Sequence, residues 1–86
     1  MSEIDTIYDV LFFWNYDKDP CKYKQYCSET INNIMGLNEQ LAVKLVFEAF
    51  ERNKVLLLST MNIDKAVSLR DDLLALDMDC RIRPDK

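Results

Sequence analysis

GLNEQLAVKLVFEAFERN, residues 36–53, contains a helix stop, a helix start and a whole helix. Gly36 is the only glycine of the chain and follows an apolar periodic segment, where a residue free to turn left-handed ends a helix. Two positions later Asn38 can accept from the first free N–H groups of a new helix, with Leu37 placed to pack on its first turn. The spacing predicts a helix over residues 39–52, joined to the helix before it by almost no loop. At 100° per residue, Leu41, Ala42, Val43, Leu45, Val46, Phe47, Ala49 and Phe50 cover about 240° of its circumference, whereas a surface helix needs an apolar arc of only about 100°. Either the neighbouring helix and a sheet enclose this helix almost completely, or one edge of the arc faces a partner.

Upstream, Tyr23, Tyr26, Cys27, Ile31, Ile34 and Met35 recur at steps of three and four, which predicts a helix over residues 20–35. Pro20 suits its first position, where a missing N–H costs nothing, and Asp19 suits its cap. Before it, IYDVLFFW (7–14) is aromatic, β-branched and too short for a core helix, so it reads as a strand in the middle of a sheet, largely buried on both faces. Downstream, KVLLLST (54–60) is a second strand, and Asn62 or Asp64 can cap a third helix with Ala66, Leu69, Leu73 and Leu76 on its inner face. MDCRIRPD (78–85) alternates Met78, Cys80 and Ile82 with Asp79, Arg81 and Arg83, a half-exposed strand that Pro84 should stop. The expected fold is therefore α+β, a single domain over residues 1–86 with its core in 7–83. Its order is β-α-α-β-α-β, a three-stranded antiparallel sheet with three helices on one face.

Composition restricts function. The chain has 86 residues, 49% of them hydrophobic and 30% charged, which suits one packed core rather than a disordered segment. A net charge of −4, with basic residues scattered along the chain, argues against nucleic acid as a partner, because phosphate neutralisation needs clustered Lys and Arg. The longest uncharged apolar runs fall far short of the ~20 residues that span a bilayer, so no membrane partner is expected. Three cysteines cannot all pair within the chain and the first residues do not read as a secretion signal, so a reducing cytoplasm is the expected location.

Catalysis lacks a constellation. There is no histidine, which removes the commonest general base, the usual partner of a nucleophilic cysteine and most zinc sites. Cys21, Cys27 and Cys80 include no C-x-x-C pair, and Cys27 and Cys80 read as small core residues. A phosphate-binding loop needs at least two glycines. No enzyme activity, cofactor or metal is expected. The one polar feature of interest is the exit of the first strand, Trp14-Asn15-Tyr16-Asp17-Lys18-Asp19. It reads either as a turn before a capped helix or as an amide, carboxylate and aromatic rim able to orient a peptide end.

These residues give the chain a likeness: over residues 7–83 it resembles the bacterial protease adaptor ClpS and the C-terminal domain of the ribosomal stalk protein. In ClpS an aromatic-led strand ends in Asn-Asp before a Pro-started helix; here Tyr8 to Phe13 supply the run, followed by Asn15, Asp17 and Pro20. Leu37-Asn38-Glu39 resembles the Met-Ser-Glu start of the ClpS second helix, Ala42 its helix alanine, and Asn53-Lys54 the Gly-Lys after it. Gly36-Leu37 with Ala42, Leu45 and Val46 is similar to the stalk domain. The resemblance to ClpS implies a site that takes an N-terminal amino group and a bulky first side chain, with Asn15 at its amide, Asp17 at its carboxylate after a one-residue shift, and Phe50 where the family has histidine.

The expectation is a small non-catalytic binding module, an adaptor or inhibitor of a protein partner. By the two resemblances that partner is an unfoldase–protease or a translation-related complex; a factor-binding domain like that of the stalk protein and a homo-oligomeric structural protein are the alternatives. The expected contact residues are Trp14, Asn15, Tyr16, Asp17, Val43, Phe47 and Phe50, with Lys44 at the rim.

Overall fold

A computed structural model describes residues 6–85. The elements follow the order β1 (Ile7–Phe13), α1 (Pro20–Met35), α2 (Glu39–Arg52), β2 (Lys54–Thr60), α3 (Ile63–Ala75) and β3 (Asp79–Asp85). The sheet is antiparallel with strand order β2-β1-β3, so the aromatic strand is central and hydrogen-bonds on both sides. The predicted helix limits coincide with these bounds for α1 and α2 because the stops and starts are local chemistry. Asp19 caps α1 through the N–H of Cys21, and Gly36 ends it at φ 68° while donating to the carbonyl of Asn32. Asn38 caps α2 through the N–H of Leu41. For α3 the choice between two caps is resolved: Asn62 accepts from the N–H groups of Asp64 and Lys65.

One core lies between the sheet and the helices. On the covered face Phe12 stands between Val55 and Cys80, and Val10 between Leu58 and Ile82. Helices supply Tyr23, Cys27 and Ile31 from α1, Ala42, Val46 and Ala49 from α2, and Ala66, Leu69 and Leu73 from α3. The register of β2 slips opposite Val10 and Leu11, which leaves Leu57 as an extra residue between Leu56 and Leu58. Such a bulge bends the strand and lets two consecutive leucines, Leu57 and Leu58, both reach the core.

Three expectations need correction and one alternative is decided. Helices cover only one face of β1: Asp9 and Phe13, toward the other face, are partly exposed, and between them Leu11 is 9% exposed under its neighbours. Pro84 does not stop β3, which runs on to Asp85 with Pro84 opposite Tyr8; a proline is tolerated there because β3 is an edge strand. Leu76 belongs to the C-cap of α3 and is exposed rather than internal. Of the two readings of the wide apolar arc of α2, the open edge is the one found: Ala42, Val46 and Ala49 are buried, Leu45, Val43 and Phe50 half-buried, and Leu41 and Phe47 exposed.

Candidate functional site

The exit of β1 is tied to the far end of α2. The backbone N–H of Trp14 donates to the carbonyl of Asn53 (3.0 Å), the left-handed residue that ends α2 at φ 77°. Two residues beyond Phe12 and on the same face, the Trp14 indole lies in the core, where it is 5% exposed and meets Tyr23 (centroids 4.8 Å apart), Phe50 (5.3 Å) and Phe12 (6.4 Å) edge to face. Its indole N–H is buried with no hydrogen-bond acceptor among the described residues. Trp14 thus lies beneath the surface on which a partner would rest, not on it.

The loop that follows satisfies much of its own polarity. The Asn15 side-chain oxygen accepts the N–H of Asp17 (2.9 Å), and its backbone carbonyl accepts the N–H of Lys18 (3.3 Å), a local turn built by an asparagine side chain. Tyr16 is 59% exposed. Its hydroxyl donates to the carbonyl of Phe50 (3.0 Å), one of the last-turn carbonyls that a helix cannot satisfy internally. Its ring leans on Phe50 at 6.3 Å. Asp17 points its carboxylate at no described partner and is exposed.

Of the expected contact residues, the structure brings Trp14, Tyr16 and Phe50 into one aromatic stack, with Asn15 and Asp17 in the loop beside it. Val43 and Phe47 lie further along α2 and line a groove of about 670 Å³ between α1 and α2. The cation at this surface is Lys24 of α1 rather than Lys44. Its ammonium sits 4.0 Å from the Phe50 ring centre and 4.6 Å from that of Phe47, bridging the aromatic stack and the groove. Periodicity places Lys24 on the polar side of α1 and gives no reason to single it out. A usable signal existed in the short connection: two helices joined by three residues can pack as an antiparallel pair, which sets position 24 opposite positions 47–50.

The groove differs from end to end. Lys24, Phe47 and Val43 mark one end, and Asn32, Asn33 and Glu39 the other, with Glu29 between them on the α1 wall. Many of the α1 polar groups are turned to internal partners: Ser28 donates to the carbonyl of Lys24, Asn32 donates to the carbonyl of Leu37, and Gln25 donates to Glu29. What remains is an apolar strip of Val43, Val46 and Phe47 with Lys24 at one end and Glu39 at the other, and the Glu29 carboxylate, held by Gln25, on the α1 wall beside it.

The remaining titratable groups have structural roles. Burial pushes the thiols of Cys27 and Cys80 up to about 12, and the same cause raises Tyr23 above the ordinary phenol value, so all three stay neutral and unreactive near neutral pH. A shallow hollow at the start of α1 holds Lys18 and Asp77 in an ion pair (2.7 Å), and the hydrogen bond to Asp77 raises Lys18 above its usual value. Tyr26 donates to the carbonyl of Leu76 (2.7 Å) beside it. No group of three metal-ligating side chains occurs among the described residues, and no described helix is long and apolar enough to cross a membrane. Neither the protein-family models nor the curated proteins compared with this chain match it.

Proposed function

We propose that this chain is a small non-catalytic protein-binding module, an adaptor or inhibitor, which meets its partner through the outer face of the α1–α2 pair. The observation that carries this reading is Phe47: a large aromatic side chain 47% exposed, in the middle of a helix, beside Val43 and under the ammonium of Lys24. Exposed apolar residues scattered singly are ordinary, but Phe47 is not isolated: Val43 lines the same groove and Phe50 shares the Lys24 ammonium with it. Aromatic anchors ringed by polar groups are the usual make-up of an interaction hot spot, and Tyr16, Phe50, Asn15 and Asp17 extend the surface past the end of α2. The element order and the resemblance to ClpS read from the sequence favour an adaptor of that general kind, and three cysteines that cannot all pair within the chain favour the cytoplasm as its location.

The test is site-specific photo-crosslinking in the native host, with the reactive group at position 47 in one variant and at position 70, on α3, in another. A distinct partner band from position 47 and none from position 70 is the expected outcome. Loss of that band in the Phe47→Ala protein, labelled from position 43 and with an unchanged circular dichroism spectrum, would place the hot spot. Equal labelling from both positions, or none from either, ends the reading.

A further inference from the structure

We propose that the α1–α2 groove receives one amphipathic helix of the partner over about two turns, with an acidic residue at one end of its apolar stripe and a basic residue at the other. This rests on the reading of the chain as a protein-binding module and adds the chemistry of what it binds. The walls of the groove decide between an extended and a helical segment. Between the first turn of α2 at Glu39 and the last turn of α1 at Asn33, both walls are helix surfaces whose N–H and C=O groups are already paired along α1 and α2. An extended segment lying there would find no backbone partners and leave its own amides unpaired where the contact excludes water, whereas a helix brings its backbone hydrogen bonds with it.

Length and charge then specify the occupant. From Glu39 to Phe47 the α2 wall measures about 12 Å at 1.5 Å per residue, which matches a little over two turns of a partner helix. Val43 and Phe47 are one turn apart and present an apolar ridge to side chains at positions i, i+3 or i+4, and i+7 of that helix. At the Phe47 end the Lys24 ammonium rests on two aromatic rings, partly withdrawn from water, so a partner carboxylate arriving there meets a fixed cation. At the other end Glu39 offers a carboxylate to a partner Lys or Arg. The two charges of the occupant therefore stand about eight residues apart.

Three fluorescein-labelled peptides of about 14 residues, sharing one apolar stripe, test this by anisotropy at ionic strength near 0.15 M. They carry acid and base, acid and acid, or base and base at the two ends. The expected result is that the acid–base peptide binds about tenfold more tightly than either of the others, that Lys24→Glu transfers the preference to the base–base peptide, and that Glu39→Lys transfers it to the acid–acid peptide. A reversed preference cannot come from a misfolded variant. A proline at the centre of the acid–base peptide should abolish binding. Equal affinities, tightest binding of the base–base peptide to the unaltered protein, no binding of any peptide, or tolerance of the proline would each overturn the proposal. A crosslink from position 47 that persists beside such a failure leaves the binding module standing without a helical occupant.

Discussion

Trp14 shows how one residue's role depends on its surroundings. It is 5% exposed, packed edge to face on three rings, and carries a buried N–H with no acceptor among the described residues. Trp14→Ala should cost about 3–5 kcal/mol through the cavity it opens. Trp14→Phe should cost less than half of that, because it keeps part of the ring volume and removes a donor whose hydration was lost on burial; urea denaturation of both variants measures the difference. Phe50 carries a second residue-scale prediction. A phenyl ring accepts no ordinary hydrogen bond from an ammonium group, and the Asn15 oxygen already accepts the Asp17 N–H. Peptides with a free N-terminal Leu, Phe, Trp or Tyr should therefore bind weakly or not at all, and micromolar affinity in fluorescence anisotropy would refute this.

Among the elements, helix limits are set by single polar or glycine positions. A Cβ added at Gly36 would meet nothing within 4 Å, so Gly36→Ala carries only the backbone strain of φ +68°, about 1 kcal/mol. Gly36→Asn should cost less, since asparagine tolerates that conformation. At the start of α3, Asn62→Ala should cost about 1 kcal/mol, since its side chain accepts two N–H groups, while Asp64→Ala should lose only the few tenths due to the helix dipole. Thermal unfolding of the four variants checks both rankings. Leu45 is half-buried, so truncating it should cost less than the ~2–5 kcal/mol expected of a fully enclosed leucine.

For the whole molecule, the thiols link stability to pH. Burial raises Cys27 and Cys80 from 9.0 to about 12, so each is held neutral in the fold more strongly than in the unfolded chain. Their contribution is complete below pH 9 and is lost as pH rises from about 9 toward 12, where the unfolded state alone gains from ionisation. Denaturation midpoints should therefore fall over this range, and less steeply in Cys80→Ala, against a reference measured at neutral pH. The same burial predicts that a thiol reagent titrates Cys21 at once in the native protein, and Cys27 and Cys80 only on unfolding. Three reactive thiols in the native state would contradict the described core.

The sequence alone determined the element order, the central position of the aromatic strand and the limits of α1 and α2, because turns, caps and apolar periodicity act within a few residues of one another. It also identified α2 as carrying more apolar surface than a surface helix requires. It left undecided which edge of that surface stays open, and it spread the expected contact residues evenly over strand exit and helix. The tertiary structure separated them, packing Trp14 inside against Tyr23 and Phe50 and leaving Phe47 outside. It also brought Lys24 onto the two phenylalanines and allowed β3 to run through Pro84. These outcomes depend on which surfaces meet across the fold, and positions far apart in the chain acquire neighbours only when helices and strands have packed.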